Sequence, residues 1–221
     1  MFIYRINKVA QALPIDKRQT VLLQLIKRTI DVFFSLLALI ILLPILLLIT
    51  ACIKLTDFSS SVIFVQERIG IDGKKFNMYK FRSMCPDAED KLQLLLDKNE
   101  ADGAMFKIKE DPRVTPIGRV LRNYSLDELP QFYNVLRGDM SLIGPRPCLY
   151  RELQNYTEHD KLRLKVKPGI TGLWQVSGRS GLSFEQMIEL DLAYIKTMSV
   201  KNDLKILIKT MIVVFKSENA Y

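Results

Sequence analysis

The chain has 221 residues, 48% of them hydrophobic, and a net charge of +8, with three cysteines and one histidine. Its length fits one domain with an ordinary core, plus a membrane segment. Cys52, Cys85 and Cys148 are far apart in the sequence and odd in number, which argues against a disulfide framework. With His159 as the only histidine, a zinc site is not supported either, and a reducing compartment is expected.

The positive charge is concentrated at the N-terminus. Residues 1–28 hold six basic side chains and one acidic side chain, so they carry +5 of the total. A nucleic-acid binder more often spreads its charge over a folded face, so we expect no nucleic-acid partner. Basic residues just before an apolar run favour contact with anionic membrane lipid. We therefore predict that residues 1–26 form a basic amphipathic segment at the membrane interface, and not a cleaved signal peptide.

An uncharged apolar run follows from Val32 to Ile53. As one helix its 22 residues would measure about 33 Å, enough to span a bilayer. Pro44 divides the run into two halves, and neither half is long enough to span alone. The flanking charges do not orient a spanning helix. We favour a re-entrant membrane helix over residues 27–54, broken at Pro44, and a kinked true span is the alternative.

The remaining residues, 55–221, are predicted to form a cytoplasmic catalytic domain. Strand-like segments at 62–69 and 75–82 flank Asp72-Gly73, which is a hairpin-turn signal. Lys80 and Arg82 share one face of the second strand, because strand side chains alternate. The other segments read as helices and turns, so the expected fold class is α+β and mostly helical, with a short β-hairpin and amphipathic interfacial helices.

The stretch from Arg122 to Gln131 contains the most unusual local pattern. Ser125 and Glu128 fit an S-x-x-E capping box, which predicts a helix beginning at Ser125. Asp127 and Glu128 then fall in its first turn, where acidic residues complement the helix dipole by about 1 kcal/mol. However, Pro130 cannot donate the hydrogen bond that such a helix requires. A local rule broken beside two carboxylates indicates a functional site.

The C-terminal half adds a second arginine–proline cluster at 144–147, which indicates anionic chemistry together with the first. Residues 150–166 are predicted to form one charged helix. The glycines within 167–172 and 177–181 are of the kind that bring backbone amides close to a phosphate. The sequence has neither a Walker A motif nor a G-x-G-x-x-G after a strand, so a nucleotide site of either standard type is not supported.

The last two predicted helices cover residues 184–198 and the segment that follows Asp203. Ser183 is the expected N-cap of the first. In the second, Lys201, Lys205 and Lys209 recur every four residues on one face of a strongly apolar sequence. We favour an interfacial position for this helix over packing against the core.

Several long motifs in the right order resemble the bacterial sugar transferase family, the monotopic phosphoglycosyl transferases, from about Lys27 to Phe215. The matching segments are Lys27-Arg28-Thr29-Ile30-Asp31 before the broken apolar run, Tyr79-Lys80-Phe81-Arg82-Ser83-Met84, Ser125-Leu126-Asp127-Glu128-Leu129-Pro130-Gln131, Gly138-Asp139-Met140-Ser141-Leu142-Ile143-Gly144-Pro145-Arg146-Pro147, Lys167-Pro168-Gly169-Ile170-Thr171-Gly172 and Gln175-Val176-Ser177-Gly178-Arg179.

This resemblance implies an enzyme that moves a sugar 1-phosphate from a UDP-sugar to polyprenyl (undecaprenyl) phosphate. It implies release of UMP and a requirement for Mg²⁺. It also implies a position at the bacterial cytoplasmic membrane, where the reaction initiates exopolysaccharide or capsule assembly. A carboxylate nucleophile would split one displacement into two through a covalent intermediate. Since an anion is repelled by a diphosphate, cations have to neutralise the site.

The resemblance also assigns residues. Asp127 matches the family's nucleophile and Glu128 its acidic neighbour, and both are expected at the metal. Neighbouring residues of a helix point about 100° apart, which favours separate roles for the two carboxylates. The cationic side chains expected at the substrate are Lys80, Arg82, Arg122, Arg146 and Arg179. Lys80 and Asp203 match family positions that either bind ligand or form a supporting ion pair, and for Asp203 we favour the ion pair.

The sequence leaves several alternatives open. Trp174 and its neighbours resemble members that transfer galactose or glucose phosphate, and an N-acetylated diamino sugar is the alternative. A membrane-anchored scaffold without catalytic activity is a second function class, in which the carboxylate pair would serve only as a helix cap. A homo-oligomer is a possible partner state, which the sequence does not decide.

Overall fold

A computed structural model describes residues 17–100, 106, 108, 110–178 and 181–216. The helices in this part of the chain are α1 Lys17–Ile41, α2 Leu43–Thr56, α3 Ala88–Leu92, α4 Pro116–Asn123, α5 Gln131–Arg137, α6 Tyr150–Leu153, α7 Phe184–Lys196 and α8 Val200–Lys216. The strands are β1 Ile63–Ile69, β2 Lys75–Phe81, β3 Ser141–Ile143 and β4 Gly169–Thr171. The predicted mostly helical fold with a short β-hairpin is therefore confirmed.

The apolar run forms a broken helix pair. The axes of α1 and α2 are bent by 59°, and the break lies at Leu42, two residues before Pro44. Pro44 occupies the first turn of α2, where its missing N–H requires no partner. Among the described helices none is long and apolar enough to cross a bilayer by itself, whereas the bent pair reaches that length and composition together. Residues 1–16, which belong to the predicted N-terminal segment, lie outside the described part. α1 continues without a break across residue 26, where that segment was predicted to end.

Polar contacts fasten the first half of α1 to the rest of the chain. Arg28 donates two hydrogen bonds to the consecutive carbonyls of Val135 and Leu136, at 2.6 and 2.7 Å. Asp31, which is buried, accepts a hydrogen bond of 2.9 Å from the backbone N–H of Leu142. These bonds hold α1 against the end of α5 and the start of β3.

The end of α2 packs against the same domain. Ile49 and Ile53 are buried in a hydrophobic cluster with Phe81 of β2 and Leu121 of α4. Residues on both sides of the bend, in the middle of α1 and in the second half of α2, thus contact one body. Between these contacts, large apolar side chains remain exposed, and Ile41 at the bend is 63% exposed.

The predicted hairpin is confirmed in place. β1 and β2 pair antiparallel, with Phe64 opposite Lys80 and Val65 opposite Tyr79. The connection turns at Asp72 and Gly73, which both have positive φ, of 54° and 77°. This left-handed geometry is the reason that an Asp-Gly pair marks such turns.

The prediction of one helix over 150–166 is wrong. The helix α6 covers only Tyr150–Leu153, and a 3₁₀ turn follows at Asp160–Lys165. Between them Thr157 and Asp160 exchange hydrogen bonds, the N–H of each bonding the side chain of the other at 2.9 and 3.2 Å. Such a reciprocal arrangement starts a new turn and interrupts the old one.

The glycines at 144, 169 and 172 pack one backbone against another, and those within 167–172 do not cradle a phosphate. Gly144 donates its N–H to Thr171 O, and Gly169 donates its N–H to Pro145 O, both at 2.9 Å. These amides are therefore used within the protein, beside the parallel pairing of β3 with β4. The expectation of phosphate-binding amides is wrong for this stretch.

The expected cap of α7 is confirmed, whereas α8 packs against the core, which the sequence analysis gave as the alternative to an interfacial position. Ser183 caps α7 by accepting a hydrogen bond from the backbone N–H of Gln186. One face of α8 enters the main core through Ile206, which is 1% exposed. On its other face, Leu204 and Ile208 are exposed next to the lysines at 201, 205 and 209. The helix therefore packs against the core and also presents an apolar basic face.

We expect Gly169→Ala to destabilise the fold, because its Cβ atom would lie 2.1 Å from Gly144 N. Overpacking of this kind costs about 1–3 kcal/mol. The melting temperature of the purified protein should fall by roughly 2–4 °C for each kcal/mol. Gly181→Ala is the matched control, since its Cβ would meet no atom within 4 Å. Equal melting temperatures for the two variants would contradict the proposed close packing.

Candidate active site

The two adjacent carboxylates lie in a short 3₁₀ turn, Leu126–Glu128, between α4 and α5. The prediction of a helix capped by Ser125 is wrong. Ser125 has the left-handed conformation, with φ 55° and ψ 23°, and its side chain makes no capping hydrogen bond. The α-helix begins only after Pro130, at Gln131. Because proline is accepted at the start of a helix but not inside it, the chain bends here instead of continuing.

Asp127 and Glu128 have different surroundings. Asp127 is 7% exposed, and burial raises the pKa of its carboxyl group, against the opposing charges of Lys80 and Arg122. Burial also disfavours the ionised form of Glu128, but Lys80, together with Arg146 and Arg68, outweighs it and holds the pKa of Glu128 below its usual range. The Oε1 atom of Glu128 lies 2.7 Å from Lys80 Nζ. The two neighbours are thus set apart electrostatically, as expected for separate roles.

Asp127 lies in the wall of a cavity of about 340 Å³. The basic side chains around this cavity are six arginines and one lysine: Arg68, Lys80, Arg82, Arg113, Arg122, Arg146 and Arg151. The other acidic side chains in its lining are Glu89, Asp111 and Glu152. Positive charges therefore outnumber negative ones, and the cavity favours an anionic ligand.

Two of these arginines are held in place by the protein. Arg68 is 5% exposed and donates hydrogen bonds to Pro147 O at 3.0 Å and to Gln66 Oε1 at 2.6 Å. Burial lowers the pKa of Arg68 to about 10, so its guanidinium group stays charged at neutral pH. Arg113 pairs with Asp111 at 2.6 Å. Arginines fixed in this way present a preformed positive wall.

A buried ion pair holds the loop that carries Arg146 in place. Arg163 donates a hydrogen bond of 3.0 Å to Arg146 O and lies 2.5 Å from the carboxylate of Asp191. Both side chains of this ion pair are buried, and burial raises the pKa of Asp191 to about 6. A buried ion pair gives little stability by itself. Here it fixes the backbone of the arginine–proline loop.

The structure brings together most of the residues predicted for the site. Lys80, Arg82, Arg122, Arg146 and Asp127 all line the cavity, and Glu128 joins them through Lys80.

Asp203 lies elsewhere, so its proposed contact with substrate is not supported. Its carboxylate pairs with Lys27 at 2.6 Å and accepts a hydrogen bond from Tyr194 Oη at 2.8 Å. This is the supporting ion pair that the sequence favoured. Arg179 lies outside the described residues.

Sequence reasoning missed three cavity arginines. For Arg68 a signal existed, because Phe64 pairs with Lys80 and the alternation that places Lys80 in the cavity places Gln66 and Arg68 there as well. Arg113 follows a proline in a turn, and Arg151 lies in a four-residue helix. Neither position has a periodic pattern, so no sequence signal could identify them.

The carboxylates fit a Mg²⁺ ion that is shared with a ligand. Within the described ranges no group of three or more His, Cys, Asp or Glu side chains is placed to hold a metal ion. Mg²⁺ is usually bound through one or two carboxylates together with substrate phosphates and waters. Asp127 and Glu128 supply that number of protein ligands beside a cavity suited to phosphates, so the donor set is adequate only with the ligand present.

These features define an α+β domain in which a buried acidic side chain lies in the wall of a basic cavity, built on a broken apolar helix pair. The chain belongs to the bacterial sugar transferase family, whose model matches residues 22–217.

Relatives in this family have names that describe sugar-phosphate transfer. The chain is 44% identical over 200 residues to undecaprenyl-phosphate galactose phosphotransferase of Salmonella typhimurium, and the aligned residues cover 89% of this chain and 42% of that protein. It is 43% identical over 203 residues to UDP-glucose:undecaprenyl-phosphate glucose-1-phosphate transferase of Klebsiella pneumoniae, covering 88% and 41%. Exopolysaccharide production protein ExoY of Rhizobium meliloti is 40% identical over 199 residues, covering 88% of each chain. The chain therefore spans less than half of the first two relatives and most of the third.

We expect Arg122→Gln to weaken the binding of inorganic pyrophosphate by roughly tenfold or more, because a charge-assisted hydrogen bond contributes about 1.5–3 kcal/mol. Isothermal titration calorimetry at fixed ionic strength measures the dissociation constant. Arg119→Gln is the matched control, since Arg119 lies on the same helix but is exposed and outside the cavity lining. Equal losses in the two variants would mean that only net charge matters.

Proposed function

We propose that this protein moves a hexose 1-phosphate from a UDP-sugar to polyprenyl (undecaprenyl) phosphate, releasing UMP and initiating the assembly of a polysaccharide repeat unit. The observation that carries the proposal is the position of Asp127, a buried carboxylate in the wall of a cavity lined by six arginines and one lysine. Membership of the bacterial sugar transferase family and the names of the relatives support the same reaction class.

In the first step, an oxygen of Asp127 attacks the phosphorus that carries the sugar. A new bond forms between that oxygen and phosphorus, and the bond from phosphorus to the bridging oxygen of the diphosphate breaks. The electron pair leaves with UMP, so the sugar phosphate remains on the protein as an acyl phosphate. Attack by an anion on a diphosphate requires compensating charge, which Arg122 and Arg146 supply from the cavity wall.

In the second step, a phosphate oxygen of the polyprenyl phosphate attacks the same phosphorus. The bond to Asp127 breaks and its carboxylate is regenerated, while the product is a polyprenyl diphosphate sugar. The site lies close to the broken helix pair, because Leu126 and Leu129 on either side of the two carboxylates pack onto the cluster formed by Ile49 and Ile53. A lipid acceptor in the membrane can therefore approach the carboxylate from the side of the broken helix pair.

Mg²⁺ belongs to the proposal, with Asp127 and Glu128 as the residues that would hold it. When bound, the ion neutralises charge on the diphosphate and polarises its oxygens. Glu128 is kept ionised by Lys80, which suits a metal ligand better than a proton donor.

For the sugar, we propose galactose or glucose, which the names of the Salmonella and Klebsiella relatives support. An N-acetylated diamino sugar is the alternative. A panel of UDP-sugars, assayed for UMP release in the presence of polyprenyl phosphate, separates the two.

We also propose that the broken helix pair enters and leaves the bacterial cytoplasmic membrane on the cytoplasmic face. The support is geometric. Arg28 and Asp31 on α1 bond one side of the globular domain, and Ile49 and Ile53 on α2 pack against the same domain. Because the residues just before the apolar run and those near its end contact one body, the two flanks of the run cannot lie on opposite faces of a bilayer. The exposed apolar residues between them then face lipid.

We expect Asp127→Asn to reduce transfer of radiolabelled sugar phosphate to the lipid by about 10³-fold or more, because the amide cannot form the acyl phosphate. Wild-type protein given labelled sugar donor without acceptor should carry the label covalently, and the variant should not. Glu158→Gln changes an exposed carboxylate and should leave both measurements unchanged. Full activity in Asp127→Asn would refute the covalent mechanism, and normal polymer in cells carrying it would favour the scaffold alternative.

The re-entrant geometry predicts that positions before and after the apolar run react on the same side of the membrane. Single cysteines at Gln24, Ser59 and Glu158, in a background where the three natural cysteines are serine, should all label with an impermeant maleimide in inside-out vesicles. Glu158 marks the side of the catalytic domain. In intact cells none of the three should label. Labelling of Gln24 alone from the outside would demonstrate a true span.

A further inference from the structure

The outer edge of β2 is covered by one side chain. β2 is a member of a two-stranded sheet, so one of its edges faces away from β1. Asn134 of α5 meets this edge: its Oδ1 accepts a hydrogen bond of 3.0 Å from Tyr79 N–H, and its Nδ2 donates one of 2.7 Å to Asn77 O. The carboxamide therefore occupies the place that the peptide group of a third strand would take.

The orientation of this carboxamide is fixed. Asn134 is 0% exposed, and its Nδ2 also donates a hydrogen bond of 3.2 Å to a carboxylate oxygen of Asp139. A flipped amide would place its oxygen against that carboxylate and against Asn77 O. All three hydrogen bonds are thus made in only one of the two orientations, which locks the strand onto the helix.

The link joins β2, which carries one member of the ion pair of the site, to α5, which follows the turn that carries the other. Lys80 directly follows Tyr79 on β2, and Glu128 lies three residues before α5 begins. Their side chains meet at 2.7 Å. Because Asn134 fixes the backbone of Tyr79 against α5, it also fixes where the neighbouring Lys80 can reach. A displacement of about 1 Å at such a site is enough to affect catalysis.

We propose that Asn134 is a positioning residue, whose carboxamide sets the register between β2 and α5 so that Lys80 compensates the charge of Glu128. In the wild-type protein this pairing keeps an uncompensated negative charge away from the anion cavity. The role in sugar-phosphate transfer rests on the proposed function, whereas the effect on anion binding does not.

The test is a double-mutant cycle with Asn134→Asp and Lys80→Met. Asn134→Asp keeps the size of the side chain and the acceptor for Tyr79 N–H, but it replaces the donor to Asn77 O by an oxygen. We expect it to weaken pyrophosphate binding by about tenfold in the wild-type background and by less than about twofold in the Lys80→Met background. The kcat for UMP release should show the same coupling.

The matched control is Tyr194→Phe, which removes buried hydrogen bonds to Ile143 O and Asp203, away from the cavity. Its pyrophosphate affinity should stay within about twofold of the parent in both backgrounds. Melting temperatures report whether each variant is folded. If Asn134→Asp does not fold, Asn134→Ser replaces it in the cycle, since it removes the carboxamide without adding charge.

Equal losses in the two backgrounds, or no loss in either, would overturn the inference and leave Asn134 a purely structural residue. Coupling in pyrophosphate binding, with no UMP release by the wild-type protein, would support the positioning role and refute the proposed function. UMP release that does not change in the Asn134 variants, with no coupling in pyrophosphate binding, would support the proposed function and refute the positioning role.

Discussion

The charge balance around Asp127 and Glu128 determines what this site can bind. Two adjacent carboxylates would by themselves repel a diphosphate, and burial would favour their protonation. Lys80 resolves this conflict for Glu128 through a direct ion pair, which leaves Asp127 as the member of the pair that lies in the cavity wall. Two of the cavity arginines, Arg68 and Arg113, are fixed by a backbone carbonyl and by an acidic partner, so this part of the positive wall exists before any ligand arrives. Preorganised charge of this kind is an effective source of catalysis.

This balance is tied mechanically to the broken helix pair. Arg28 bonds the last turn of α5, while the first residues of α5 follow the turn that carries the carboxylates. Under that turn, Ile49 and Ile53 of α2 complete a hydrophobic cluster. The carboxylates are thus held from two sides by the same pair of apolar helices. The position of the two carboxylates relative to the helix pair is therefore set by packing and not by a flexible linker.

Much of this arrangement could be predicted from the sequence, because the relevant signals are local. The break at Pro44, the Asp72-Gly73 turn and the Ser183 cap each depend on a few neighbouring residues. The helix start at Ser125 was predicted wrongly because the capping pattern is satisfied in the sequence, while the backbone at Ser125 is left-handed and the helix begins only after Pro130. Cavity arginines such as Arg113 are brought in by tertiary packing, which no periodic pattern encodes.

The burial of Ile49 and Ile53 has a practical consequence for protein production. Removing the apolar N-terminal helices to obtain a water-soluble fragment would strip one wall from the cluster that contains Phe81 and Leu121. The remaining fragment would expose an apolar patch next to the turn that carries the two carboxylates, and it would aggregate or unfold locally. The broken helix pair is therefore part of the packing of the domain, and purification of the full chain in detergents or nanodiscs suits this protein better than truncation.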